Sequence, residues 1–207
     1  LNTITAASQI NEDVHALLIG FNNGQAANEI MNISLVKKVL QVDSQEFENQ
    51  LAESITPIII NLADKYSHII APATTFGKNI MPRVAALLDI SQISDVIEIE
   101  NEDTFVRPIY AGNALATVQS MDTQKILTVR PTSFDPASTA GGKASLKKIE
   151  SEIKQNISQF LKKEESKSDR PELSTARIVI SGGRGLQSAE NFKLLDEIAE
   201  KLNAAVG

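Results

Sequence analysis

The chain has 207 residues with 42% hydrophobic and 22% charged, ordinary globular usage that supports a core of one domain or one and a half and excludes disordered, collagen-like and solenoid organisation. It has no cysteine and two histidines, His15 and His68, far apart, which removes disulfides, thiolate chemistry and a zinc ligand set together. A formal net charge of -6 argues against a nucleic-acid partner, which needs a basic face to displace counterions, and no run reaches the roughly 18 apolar residues of a membrane span.

Residues 1–7 read as a helix already in progress, with no initiator Met, cationic leader or apolar signal core, so the chain is expected to be cut at its front. From there short runs rich in Val and Ile alternate with segments of helical period, the pattern of a parallel sheet with helical crossovers. Residues 15–19 and 33–42 read as strands. Leu51, Ile55, Ile58, Ile59 and Leu62 recur at three- and four-residue steps and predict a helix over 47–62. Residues 67–71 are the next strand and 78–88 the next helix.

After Asp89 the texture changes. Residues 93–98, 104–110, 114–118 and 125–129 are strand-like runs separated by turn residues such as Asn101-Glu102-Asp103, Gly112-Asn113 and Met121-Asp122, which predicts hairpins and an antiparallel extension beside the α/β sheet. Of the 28 residues 143–170, 13 are charged, marking a solvated segment and a candidate linker. Ile149, Ile153, Ile157, Phe160 and Leu161 within it would form an apolar stripe if helical. A second unit then opens, with a strand at 176–180, a glycine-rich turn at 181–185 and a helix at 188–202. A lone parallel strand and helix cannot close a core.

The sharpest chemical signal is Ser181-Gly182-Gly183-Arg184-Gly185, set where a strand hands over to a helix. Glycines permit a tight bend and close approach of a ligand, a helix start offers unpaired N–H groups to phosphate, and Arg184 adds a forked cation. As a dinucleotide fingerprint it is imperfect: Ser188 stands where the third glycine belongs, and Glu200 and Lys201 stand where an acid is expected. A tight turn without a ligand is the alternative reading. The Ser-Gly-Gly start also resembles the pyrophosphate loop of ATP pyrophosphatases, but Arg184 and Gly185 replace the Asp and Ser that such chemistry wants. Gly77-Lys78 fails as a P-loop because Pro72 stands where its first glycine should be. Asp122, Ser133 and Asp135 have no histidine nearby in sequence to complete a nucleophilic relay. Arg83, Arg107 and Arg130, in or beside apolar runs, are each expected to pair with a carboxylate inside the fold or to meet a partner.

Several blocks carry a family likeness. Thr75-Phe76-Gly77-Lys78-Asn79 with Met81-Pro82-Arg83-Val84-Ala85-Ala86, Ile93-Ser94-Asp95, Thr104-Phe105-Val106-Arg107 with Ile109-Tyr110-Ala111-Gly112-Asn113-Ala114, and Thr132-Ser133-Phe134-Asp135 resemble the α subunit of electron transfer flavoprotein. So do Ser168-Asp169-Arg170-Pro171-Glu172-Leu173, Ser181-Gly182-Gly183-Arg184-Gly185-Leu186 and Glu190-Asn191-Phe192. The likeness covers nearly the whole chain in order.

The resemblance implies an α/β fold: a parallel-sheet, nucleotide-hydrolase-like three-layer domain over 1–168 with an antiparallel extension, packing on a β subunit, and over 169–207 the first strand and helix of a Rossmann-like FAD-binding domain. It implies a heterodimer carrying one FAD and one AMP, the AMP in the β subunit. Electrons pass from flavin dehydrogenases such as acyl-CoA dehydrogenases to a quinone oxidoreductase, in bacterial cytoplasm or mitochondrial matrix. By position, Arg184 matches a family FAD contact, and Gly182, Gly183 and Gly185 shape its turn. The family's first strand is expected just before Leu1, and its Ser-Arg block, Gln-Thr-Gly-Lys loop and later Asn and Asp contacts beyond Gly207. An electron carrier without acid–base chemistry of its own is the leading reading. A flavin-free module that binds the β subunit is the second, and a nucleotide-hydrolysing enzyme the third.

Overall fold

A computed structural model describes residues 1–150, 157–164, 171–173 and 176–207. The chain divides into two compact units, Leu1–Phe160 and Leu161–Gly207. The boundary expected between residues 168 and 169 lies outside the described residues.

In the first unit helix α1 (Asn2–Ile10) leads to strand β1 (Val14–Gly20), helix α2 (Gly24–Met31) and strand β2 (Val36–Asp43). Helix α3 (Ala52–Ala63), strand β3 (His68–Pro72), helix α4 (Thr75–Leu88) and strand β4 (Gln92–Val96) follow. Next come β5 (Glu98–Ile99), β6 (Thr104–Ile109), β7 (Ala114–Gln119), β8 (Lys125–Val129) and β9 (Ser145–Lys148). Parallel hydrogen bonding joins β1, β2 and β9 in one three-stranded sheet and β3, β8 and β4 in another, while β5, β6 and β7 form an antiparallel sheet. Burial builds three layers. On one face α1 and α2 contribute Ala6, Ile4, Ala27 and Ile30 to apolar clusters with Val39, Leu127 and Val129; on the other, α3 and α4 pack Ile55, Ile58, Ile80, Met81 and Val84 against Val42 and Ile126.

Three sequence expectations are corrected here, and one helix is added. The strand expected over 33–42 begins only at Val36, because Ile33 is taken up in an antiparallel bridge to Gly141. The segment between the first two strands folds as α2, whose short length of eight residues gave little periodicity to read. The run 125–129 is no hairpin arm: β8 lies between β3 and β4 and is parallel to both. Its residues Ile126, Leu127, Thr128 and Val129 are all 0% exposed, the continuous burial of a central parallel strand and not the alternation of an antiparallel one. Finally, the charged segment 143–170 is not linker throughout, since residues 145–148 add β9 to the edge of β2. Every residue of β9 is exposed, and its Lys147 and Lys148 charge a sheet edge in the way that discourages edge-to-edge association. The remainder of the apolar stripe includes residues 151–156, outside the described residues.

The hairpins themselves occur where turns were read: β5 pairs β6 and β6 pairs β7, with Gly112 at φ 89° in the second turn. The second unit contains β10 (Val179–Ile180), helix α5 (Lys193–Leu202) and β11 (Ala205–Val206), with β10 and β11 parallel. The strand expected over 176–180 is thus shorter. The helix expected from 188 starts at Lys193, because residues 189–192 wind as a tighter 3₁₀ turn.

Candidate functional site

The glycine turn lies between β10 and α5, and the structure shows what each of its residues does for the chain itself. The Gly182 amide donates to the carbonyl of Gly207 at 3.0 Å, tying the turn to the end of β11. A Cβ at Gly182 would stand 2.3 Å from Leu186 Cδ1 and 2.7 Å from Leu195 Cδ1, so a side chain here would have to displace two leucine tips. Gly183 and Gly185 are different: a Cβ at either would meet nothing within 4 Å, and neither has positive φ. No described protein atom requires them to be glycine, which leaves close approach of something else as the physical use of the missing side chain.

Residues 184–186 form a 3₁₀ turn closed by Leu186 N–H to Gly183 O at 2.9 Å and Gln187 N–H to Arg184 O at 3.1 Å. Among the described residues no carbonyl accepts from the amides of Gly183, Arg184 or Gly185, and the exposed Arg184 guanidinium has neither hydrogen bond nor ion pair. Three amides and a permanent cation without internal partners make an anion-receptive loop. The sequence expectation that a helix start would serve the turn directly is corrected: α5 begins eight residues after Gly185, and the receptive amides belong to the loop. Two contributors were missed in the sequence. Gln187 takes φ 66°, a conformation costly for a residue with a Cβ, and Asn191 Nδ2 donates to Leu186 O at 2.6 Å, holding the loop's far side. Only the Asn-containing block quoted for the family likeness pointed to Asn191.

The other candidates are occupied within the first unit. Arg130 grips Asp95 through Nε at 3.1 Å and Nη2 at 2.5 Å, the expected internal ion pair; Asp95, at φ 60°, is turned into it. Arg83 approaches Glu53 at 4.0 Å. Arg107 meets no carboxylate among the described residues, bonding instead to Ser94 O at 2.8 Å and Ser94 Oγ at 3.0 Å. Gly77 follows Thr74, whose hydroxyl caps α4 by accepting from the Gly77 amide at 3.4 Å. Asp122 accepts from the Ser91 amide at 3.3 Å.

His15 takes the Tyr66 hydroxyl on Nδ1 at 2.8 Å and donates from Nε2 to Asp13 at 3.2 Å. Burial, with Asp13 nearby, raises the Tyr66 pKa. His68 donates from Nε2 to the Glu102 carbonyl at 2.6 Å and accepts from Ser67 Oγ at 2.9 Å. A carbonyl stands where a relay would place a carboxylate, so the Ser67 and His68 pair clamps the β5–β6 turn. Burial first, and Lys125 second, lower the His68 pKa against the opposing effect of Glu102. The unfolded chain therefore binds more protons just below the ordinary value of 6.5, and stability rises with pH across that window. Thermal unfolding between pH 7.5 and pH 5 is expected to show stability falling on acidification, and His68→Gln is expected to remove that part of the fall; an unchanged profile would show that His68 contributes nothing to it.

Among the described residues no His, Cys, Asp and Glu cluster fits a metal ion, and no helix is long and apolar enough to cross a membrane.

Parallel sheets with helices on both faces, followed by a separate unit in which a strand, glycine turn and helix succeed one another, define an α/β class of protein. Residues 1–154 match the electron transfer flavoprotein domain and residues 172–207 the electron transfer flavoprotein FAD-binding domain. The chain belongs to the α-subunit family of electron transfer flavoproteins. It is 49% identical over its whole length to "Electron transfer flavoprotein subunit alpha" of Pseudomonas aeruginosa, covering 67% of that protein. It is 46% identical to the mitochondrial counterpart of Dictyostelium discoideum, covering 63% of it with the whole chain, and 48% identical over 94% of its length to that of Paracoccus denitrificans, covering 63%. The chain thus spans about two thirds of the length of the curated relatives it matches.

Proposed function

We propose that this polypeptide serves as the α subunit of a heterodimeric FAD-containing electron carrier, and that Gly182, Gly183, Arg184 and Gly185 form part of its FAD site. In this reading it passes electrons from flavin dehydrogenases, acyl-CoA dehydrogenases among them, to a quinone oxidoreductase. The β subunit is its permanent partner and holds AMP, and the setting is bacterial cytoplasm or mitochondrial matrix. The observation that carries the proposal is the combination, among the described residues, of an unpaired Arg184 guanidinium, three unclaimed amides and two glycines that no protein contact requires. Those features fit a pyrophosphate: Arg184 supplies two or more N–H donors to its oxygens, the loop amides add further donors, and Gly183 and Gly185 let the backbone come close. Bound FAD would supply the redox chemistry; the residues of this chain bind and orient it and set the electrostatics around it. In this reading the protein's role is that of a carrier.

The second reading, a flavin-free module that binds the β subunit, is favoured by the two-stranded sheet of the second unit, β10 and β11, which offers FAD few walls. Visible absorption after gel filtration separates the two. The 207-residue chain alone is expected to retain little flavin, and the full-length chain with its β subunit to retain it fully. In that heterodimer Arg184→Ala is expected to weaken FAD affinity by about 1–3 kcal/mol, the scale of a charge-assisted hydrogen bond. Gly185→Ala is expected to weaken FAD binding while leaving the unfolding midpoint nearly unchanged. Unaltered FAD affinity in both variants would remove this loop from the site.

A further inference from the structure

Charge is unevenly spread over the first unit. The chain has 26 acidic residues against 20 Lys and Arg, yet neither 36–42 nor 143–149 contains an acidic residue, and together they hold Lys37, Lys38, Lys143, Lys147 and Lys148. The parallel register of β2 and β9 sets Lys38 opposite Ser145 and Leu40 opposite Lys147, so these lysines gather along one sheet edge. Among the described residues none of them has an ion pair. There too β9 pairs only with β2, and all of its residues are exposed. The strand is nonetheless held at both ends: the Ala144 amide before it donates to Met31 O at 3.1 Å, and the Ile149 amide after it to Gln41 O at 2.8 Å. Backbone groups alternate between the two sides of a strand, so with Ile149 turned to β2 the N–H and C=O groups of Leu146 and Lys148 face the open edge.

We infer that the open edge of β9 is a strand-pairing site for an extended acidic segment of another polypeptide. Two features of the edge choose that occupant. Free N–H and C=O groups on a fixed strand template a further strand, whose main-chain bonds give affinity while its side chains give selectivity. Lysines on both faces of the edge set that selectivity. Successive side chains of a strand point to opposite faces, so Lys147 lies on the face of Lys38 and Leu40, and Lys148 on the other with Leu146. A planar anionic surface such as a membrane would meet one of these faces and miss the other. A strand laid along the edge with two successive carboxylates meets Lys147 and Lys148 together. A second copy of this chain, pairing through the same edge, would set lysine against lysine, and like charges directly opposite are destabilising. The partner strand is thereby acidic at two successive positions, with an apolar residue beside Leu146, which is 39% exposed.

The test titrates a fluorescent peptide, Thr-Thr-Val-Glu-Glu-Thr-Thr, with the full-length chain in complex with its β subunit, and reads anisotropy and amide hydrogen exchange. Binding is expected at low salt and is expected to weaken as salt rises. It is expected to slow exchange of the Leu146 and Lys148 amides by about tenfold or more. Lys147→Glu combined with Lys148→Glu is expected to weaken binding by about tenfold or more, and to admit the matching peptide with Lys in place of Glu. N-methylation of both Glu amides, which keeps the charge and removes whichever of the two donors faces β9, is expected to abolish binding. Equal binding of the methylated peptide, or capture of phosphatidylserine vesicles through the same lysines without capture of the peptide, would overturn strand pairing. An affinity that the double variant leaves unchanged, no binding at all, or self-association through Lys147 and Lys148 would overturn the acidic partner.

Discussion

Phe105→Ala is expected to destabilise the first unit by about 3–5 kcal/mol, the usual cost of emptying an aromatic-sized space in a core. Phe105 belongs to β6, in the antiparallel sheet, yet it is 0% exposed and packs with Ala6 of α1, Val96 of β4 and Leu127 and Val129 of β8. Its ring also meets His68 edge-on, with centroids 6.5 Å apart. The antiparallel hairpins are therefore fastened to the parallel sheet through this side chain, and deletion should loosen both together. Urea and thermal unfolding should show one cooperative transition displaced by about 2–4 °C for each kcal/mol lost. A loss below 1 kcal/mol, or hairpins that melt while β8 keeps its protection, would show that the extension stands independently.

Gly77→Ala is expected to cost about 3 kcal/mol, the severe end of overpacking. A Cβ there would lie 2.0 Å from the Pro72 carbonyl oxygen and 3.1 Å from its carbon, and backbone atoms cannot rotate away as a side-chain tip can. The start of α4 is pressed against the end of β3, so any relief must shift one of them. Gly24→Ala is the matched control, because nothing lies within 4 Å of its position in α2; it should be neutral or stabilising by up to about 1 kcal/mol. Equal unfolding midpoints for the two variants would refute the close approach. This requirement also explains the glycine of the Gly77-Lys78 pair, which the sequence pattern alone invites one to test as part of a phosphate loop.

The candidate loop was readable because its signal is local. Gly182, Gly183, Arg184 and Gly185 are consecutive and follow a Val-Ile run, so their proximity needs no folding argument. The division of labour among them was not readable. Leu195, whose tip with that of Leu186 crowds Gly182, comes from α5, and nothing in the sequence distinguishes that glycine from Gly185. The delayed start of α5 was hidden for a related reason: Phe192, Leu195, Ile198 and Leu202 continue one apolar period across residues that wind partly as 3₁₀.

Composition, the alternation of Val- and Ile-rich runs with helical period, and the turn residues by themselves determined an α/β protein with a hairpin extension and a glycine turn beside an arginine. These are properties of neighbouring residues, governed by local conformational preference and by the period of burial. Tertiary structure alone decided that residues 125–129 lie at the centre of a parallel sheet, that residues 145–148 join β2 from more than a hundred positions away, and that Arg130 is spent on Asp95 while Arg184 has no ion-pair partner among the described residues. Strand order and ion pairing depend on which distant segments bury each other's surfaces, and a linear pattern carries no record of that choice.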